Sequence, residues 1–371
     1  MACAGPSIFQ PIPLGLNPPT LGQPIFLAIN ETTARGYLIN SNNSVQYSDG
    51  SLLILEFANP IAPTAIYSMS LQNFSGQAVL DPAGQNLYMT NRLSSDVNDP
   101  MDQIFRVNVT EGSASFLNLT QFDADDNPFG MVSDGTYLYV VNDSSLDFYA
   151  ISNPAQRTRI DFNVEPPGTS APVNTANTRE AAFSASGQFL FVTNRGGQML
   201  IMDPAQIPIP DPSLSLTLGG SEAIDYVISN TSSTRGIASD SNYTYVVEGS
   251  PPSLKILTDR SLTSVTGQPQ QILISSIAVA EIPLGPNPNE IAVDATNNRA
   301  YVVLSQNNQV AVIDTQLLIQ VAVVSLPSNT NPFGVSVGHF GGVPYVYVLN
   351  QDSNTVSIIN GNTLSIVGTF P

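Results

Sequence analysis

The sequence predicts an all-β protein, a seven-bladed β-propeller of four-stranded antiparallel blades, on three observations. First, a phrase of one aromatic residue, two further residues and usually Asn occurs seven times in the 371 residues: Tyr37-Leu38-Ile39-Asn40, Tyr88-Met89-Thr90-Asn91, Tyr139-Val140-Val141-Asn142, Phe191-Val192-Thr193-Asn194, Tyr245-Val246-Val247-Glu248, Tyr301-Val302-Val303-Leu304 and Tyr347-Val348-Leu349-Asn350. Second, the aromatic residues are 51, 51, 52, 54, 56 and 46 positions apart, a period that marks stacked supersecondary units. Third, each period holds four short β-branched or aromatic runs bounded by Asn, Asp and Gly, with no helical periodicity between them.

Taken in order, the unit at 286 to 325 shows how each element is specified. Its first strand is Glu290-Ile291-Ala292-Val293 and its first turn Asp294-Ala295-Thr296-Asn297-Asn298. The second strand, Ala300-Tyr301-Val302-Val303-Leu304, is apolar almost without alternation, which requires both faces to be covered. The polar turn Ser305-Gln306-Asn307-Asn308 leads into Gln309-Val310-Ala311-Val312-Ile313-Asp314, and Gln320-Val321-Ala322-Val323-Val324 forms the outer strand. Equivalent first turns are Asp81-Pro82-Ala83-Gly84, Asp134-Gly135-Thr136, Ser184-Ala185-Ser186-Gly187 and Asp240-Ser241-Asn242. A four-stranded sheet covered on both faces by its neighbours is a propeller blade; a β-sandwich or β-helix would not place four strands in each period of this length.

The phrase Tyr-Val-x-Asn, preceded by an Asp-x-x-Gly turn and followed by strands such as Val310-Ala311-Val312-Ile313-Asp314 and Val356-Ser357-Ile358-Ile359-Asn360, resembles the YVTN family of β-propeller repeats. Phe191-Val192-Thr193-Asn194 is a near-literal copy, and the resemblance extends over residues 7 to 370. It implies a cell-surface or secreted protein working in adhesion, surface layers or scaffolding, with occasional enzymes among its relatives.

Domain organisation follows from the repeat: residues 1–14 are an N-terminal tether or outer strand and 15–371 one propeller domain. Ile8 to Leu14 repeats Val279 to Leu284, so the N-terminus reads as an outer strand, yet Ser365 to Phe370 also reads as the outer strand of the last blade. Either one completes the ring while the other adds a fifth strand or a tether, or the spare strand pairs with another copy to give a filament or array.

Composition narrows the partners. Charged residues are only 11% of the chain against roughly 25% in ordinary soluble domains, the net charge is −18, and Lys255 is the single lysine. So few cations argue against nucleic-acid binding and against electrostatic docking on anionic lipid. No segment approaches the roughly 18 to 20 apolar residues of a membrane helix, so the only membrane link expected is an N-terminal lipid. Its candidate is Cys3, the sole cysteine: Met1-Ala2-Cys3-Ala4-Gly5 looks like the start of a mature bacterial lipoprotein, the alternative being a free thiol. Eight Asn-x-Ser/Thr sequons occur, close to the chance level for this composition, and they do not discriminate. The expected location is extracellular or at the cell surface, with protein or glycan partners there.

Two places invite chemistry. Propeller geometry puts the loops between second and third strands on one face with the blade-to-blade connections. The acidic loops carrying Asp96, Asp99 and Asp102 and Asp123, Asp125 and Asp126 therefore meet on that face. Their oxygen-rich character suits Ca²⁺, the one cofactor the sequence suggests, although solvated acidic turns are the alternative. The axial mouth on the same face is expected to be lined by Asn127, Phe129, Arg179, Glu180, Arg235, Glu290 and Phe333. Arg179 and Arg235 would orient an anionic or polar ligand there, or else bridge blades as salt links to Glu180 and Glu290.

Catalytic groups are few. His339, the only histidine, falls in Gly338-His339-Phe340-Gly341-Gly342 at the first turn of blade 7, on the opposite face, which disfavours a Ser-His-Asp triad. The leading expectation is a non-enzymatic binding or scaffold protein for adhesion, envelope or assembly. The alternatives are a filament subunit and a lactonase-type hydrolase with an axial-cleft site.

Overall fold

Seven four-stranded antiparallel sheets lie around an axis in the computed structural model, each built from one continuous stretch of sequence order. The structure describes residues 12–13, 22–41, 50–71, 74–92, 102–162, 177–207, 216–219, 223–229, 231, 233–265 and 269–371. Blades 1 to 7 run 24–71, 74–123, 130–161, 178–229, 234–283, 288–325 and 332–370. Within each, the innermost strand comes first and the outermost last, and each inner strand packs on that of the next blade, the seventh on the first. In blade 6 the strands are Pro288–Asp294, Arg299–Leu304, Gln309–Asp314 and Ile319–Ser325, within two residues of the sequence reading at every boundary.

The repeated phrase fills the second strand because both faces of that strand are dry. All seven aromatic residues are at most 2% exposed, and their rings form the core between adjacent sheets. A buried phenol needs a partner. In blades 3 and 5 the first-turn Asp supplies it: Tyr139 donates to Asp134 at 3.0 Å and Tyr245 to Asp240 at 2.8 Å. The other carboxylate oxygen of the same Asp accepts two backbone N–H groups of the turn, so one side chain fixes both turn and core.

The terminal Asn of the phrase clamps the next turn. Asn40, Asn142 and Asn350 are fully buried, and their amides donate to Ser51, Ser145 and both Thr355 and Ser357 on the facing strand, at 2.9 to 3.1 Å. Where blade 5 has Glu248 instead, Ser253 donates to its carboxylate at 3.4 Å. Where blade 6 has Leu304, the next residue takes over: Ser305 donates to the Pro332 carbonyl of blade 7 at 2.6 Å.

Three blades carry a fifth strand beyond the four of the repeat. Leu216–Gly219, an excursion between the third and fourth strands of blade 4, adds in parallel to the outer edge of blade 3. Gln270–Leu273, the matching excursion of blade 5, adds in parallel to blade 4. These two insertions account for the longer 54 and 56 residue steps in the repeat. They also cover edge hydrogen-bonding groups that would otherwise face solvent.

The two candidate terminal strands occupy different edges. Ser365–Phe370 is the fourth strand of blade 7, and Ile12–Pro13 pairs with the outer strand of blade 1. Among the described residues the ring therefore closes without exchanging a strand, through contacts made by side chains. Ser336 donates to the Leu27 carbonyl at 2.7 Å, Tyr347 to the Pro60 carbonyl at 3.1 Å, and Asn354 accepts the Gln23 N–H at 2.8 Å. Phe57 of blade 1 stacks on Phe340 at 4.9 Å and leans on Tyr347 at 5.1 Å. Gly334 permits this approach, since a Cβ there would collide with the Ile25 carbonyl.

Candidate functional site at the axial mouth

A β-bulge at the start of the inner strands builds the mouth. The pairing register slips between Thr178 and Ala181, between Thr234 and Ile237 and between Pro288 and Ile291. Bulges re-aim side chains, and these three release Arg179-Glu180, Arg235-Gly236 and Asn289-Glu290 from the ladder. The sequence pattern cannot show the bulge, but it placed these residues at the inner strand starts.

Arg179 is 7% exposed and sits over the Phe129 ring, just before blade 3, with its guanidinium carbon 2.9 Å from the ring centroid. Stacking leaves a guanidinium's donors in its own plane. Beside it, a polar cavity of about 360 Å³ opens between blades 3 and 4, lined by Asn127, Phe129, Asp143, Asn177, Thr178, Arg179 and Arg195. Arg195, which follows the repeat Asn of blade 4, was not among the sequence candidates; its position directly after Asn194 in a mouth-side loop was the available signal.

Arg235 bridges blades 5 and 6 through neutral acceptors: its Nη1 donates to Asn287 Oδ1 at 2.7 Å and to the Pro288 carbonyl at 2.8 Å. Burial and the Arg195 charge lower its pKa. Gly249 makes room for it, since a Cβ there would sit 2.8 Å from Arg235 Nε.

Glu180 and Glu290 meet each other. Glu180 is 2% exposed and its carboxyl shares a hydrogen bond with that of Glu290. Such a bond needs a proton on one of the two groups. Burial pushes the Glu180 carboxyl well above the usual range, the Glu290 charge adds to this, and Arg179 and Arg195 pull the other way. Blade 5 stands between the two glutamates in the ring, and it presents Gly236 at the equivalent position. A Cβ on Gly236 would lie 2.6 Å from the Asn289 carbonyl oxygen and 2.9 Å from Glu290 Cα. Phe333 is turned away from this group: it packs against the core shared by blades 1 and 2, and its carbonyl accepts from Asn289 Nδ2 at 3.4 Å.

The acidic loops use their oxygens within the protein. Asp102 Oδ2 accepts the Asn127 N–H at 2.6 Å. Asp125 holds Arg159 at 2.8 Å through one oxygen and Ser145 at 2.5 Å through the other. The Asp123 carbonyl accepts from Tyr149 at 2.6 Å and the Asp126 carbonyl accepts the Asp143 N–H at 2.9 Å. Asp96, Asp99 and Cys3 lie outside the described residues, and among those described no three or more His, Cys, Asp or Glu side chains converge as a metal site. Behind these loops sits a buried group that the sequence reading missed. Asp147, fully buried, accepts from Arg157 at 3.1 Å and from the Asp125 N–H at 2.9 Å, and burial raises its pKa against the pull of Arg157.

On the opposite face His339 ends the inner strand of blade 7. Its Nδ1 is 3.1 Å from Glu31 Oε1 in blade 1 and its Nε2 3.1 Å from Asp294 Oδ1 in blade 6, so the ring ties three blades together.

Comparison with known proteins supports the architecture. No protein-family model and no curated sequence matches the chain. Among solved structures, hydrazine synthase of Kuenenia stuttgartiensis aligns with a TM-score of 0.65 at 16% identity, over 95% of this chain and 99% of that one. The β-propeller domain of Cps50 (Swd1) from Myceliophthora thermophila aligns with a TM-score of 0.63 at 11% identity, over 92% and 98%. The dihydro-heme d1 dehydrogenase NirN gives 0.56 at 13% identity, over 95% and 66%. At these identities the likeness establishes the seven-bladed propeller fold alone.

Proposed function

We propose that the protein is a non-enzymatic binding or scaffold propeller of the YVTN repeat type, acting outside the cell or at its surface, and that it engages a protein or glycan partner at the axial mouth. The observation that carries the reading is the gathering of Arg179, Arg195 and Arg235 at one mouth in a chain with 11 cations against 29 acids. Ligand sites combine a concave opening with a few convergent polar groups, and this opening has both. Lipidation at Cys3 and Ca²⁺ at the 96–102 and 123–126 loops belong to the same proposal as anchoring and loop-ordering devices.

The test is binding of the labelled, purified protein to the envelope of the cells that make it, with surface labelling of those cells by antibody. Surface signal, and saturable binding that Arg235→Ala weakens, support the reading. Signal confined to the cytosol overturns it. A second reading, self-association into a filament or array, is favoured by the outer strand of blade 6. Among the described residues that edge carries no fifth strand, and Ile319, Val321 and Val323 along it are 42 to 49% exposed. Concentration-dependent sedimentation that Val321→Lys abolishes would establish it. The lactonase-type alternative has no such support, since His339 lies on the far face.

A further inference from the structure

Resting on the axial-mouth reading, we infer that the wedge between blades 3 and 4 is a carboxylate site for an acidic sugar, with Arg195 and Arg179 as the anion-recognising groups and Thr178, Asn177 and Asn127 facing the sugar.

The first argument is how the cations are used. Arg35, Arg157, Arg159, Arg299 and Lys255 each sit 2.5 to 3.7 Å from a carboxylate. Arg106, Arg195, Arg235 and Arg260 take part in none of the ion pairs among the described residues, and of these Arg195 and Arg235 come together at the mouth, in a chain where acids outnumber cations 29 to 11. Two guanidiniums close enough for one to depress the other's pKa, in so acidic a protein, mark a place where positive charge is concentrated. Of the neighbouring acids, Glu180 is pushed by burial toward its neutral form, and Asp143, the acid in the wedge itself, accepts the Asn177 N–H at 3.1 Å.

The second argument is the shape and lining of the wedge. Its volume of about 360 Å³ suits one or two pyranose units rather than a folded partner's loop. Apart from the Phe129 ring, which Arg179 covers, the lining is amide, hydroxyl and guanidinium, with the one carboxylate of Asp143 among them. Amides match sugar hydroxyls in both donor and acceptor sense, whereas an apolar ligand would find almost no apolar surface. Asn127 and Asn177 hold left-handed backbone conformations (φ 55° and 73°), which fix the two rims. A planar guanidinium recognises a carboxylate through paired hydrogen bonds.

Calorimetric titration of the full chain with trigalacturonate, its methyl ester and inorganic sulfate tests the inference, using wild type, Arg195→Gln and Arg195→Lys. Arg195 is exposed, so the variants should keep the wild-type melting temperature, and this is checked first. The expected result is binding of trigalacturonate, loss of at least tenfold with Arg195→Gln, partial recovery with Arg195→Lys, and weaker binding of the ester. Equal binding of the ester, or no effect of Arg195→Gln, would overturn the carboxylate assignment while leaving the mouth as a binding site. Sulfate binding as tight as the saccharide would show that the wedge reads charge alone and would overturn the sugar. Absence of binding by all three probes overturns the inference outright; the envelope-binding test, which turns on Arg235, then decides the broader reading separately.

Discussion

Replacing Glu180 by Gln should remove a pH dependence that the wild-type ring carries. The amide donates to Glu290 as the protonated carboxyl does, so shape and hydrogen bond are retained while the titration is lost. In the unfolded chain a glutamate releases its proton near pH 4.3, whereas in the folded ring the pair keeps it to higher pH because Glu180 is buried against a second carboxyl. Between those two pKa values the folded state binds more protons than the unfolded one. The contribution is therefore complete below about pH 4 and falls by about 1.4 kcal/mol for each pH unit until the folded pair ionises. With an unfolding entropy of about 2.1 cal/mol/K per residue, 1 kcal/mol moves the melting temperature of 371 residues by about 1.3 °C. As the pH rises above about 4.3, the wild type should thus lose about 2 °C per pH unit relative to Glu180→Gln until the folded carboxyl ionises. Differential scanning calorimetry at constant ionic strength measures this, and the difference between the two proteins cancels the titration of other groups such as Asp147. Parallel curves over that range would refute the shared proton.

Other expectations follow from single contacts. Gly236→Ala places a methyl group 2.6 Å from the Asn289 carbonyl oxygen and should cost at least about 1–3 kcal/mol through collision, whereas Gly187→Ala, in open space at φ +76°, should cost about 1–2 kcal/mol through backbone strain alone; denaturant melts measure both. Asn350→Ala removes the donor to Thr355 and Ser357 in a fully buried site and should cost about 1–3 kcal/mol, with faster amide exchange in the turn between the second and third strands of blade 7. Asp147→Ala strands Arg157 and should cost near the lower end of about 3–5 kcal/mol, because a quarter of the Arg157 side chain still reaches solvent; Arg157→Met in the same background should recover part of the loss.

What was legible in the sequence was whatever repeats. The aromatic phrase, the Asp turns and the four-strand period depend on local pattern, and they located the blade 6 strands to within two residues. The placement of His339 on the far face and of Arg179 at the mouth followed from strand order alone. What escaped depends on contacts between blades. Glu180 and Glu290 are 110 positions apart, and they meet only because the bulges release both and Gly236 leaves the space between them. Arg195 belongs to a loop whose neighbour in space is the preceding blade. Phe333 looked like its counterpart Phe129 in sequence, but it packs, half-buried, against the adjacent core of blades 1 and 2. The fifth strands left a trace only in the stretched 54 and 56 residue steps, a signal of extra length without direction.

Closure of the ring through side chains has a mechanical meaning. Many-bladed rings in which one sheet borrows a strand from the far end of the chain cannot open without breaking a ladder of backbone hydrogen bonds. Here a load drawing blade 1 away from blade 7 meets a shared apolar core, Leu27, Leu38 and Phe57 against Tyr347, Leu349 and Ile358, with polar contacts such as Ser336 to Leu27, while every sheet stays whole. Such a ring yields at one predetermined line and reseals with all seven sheets intact, behaving as a clasp rather than a weld.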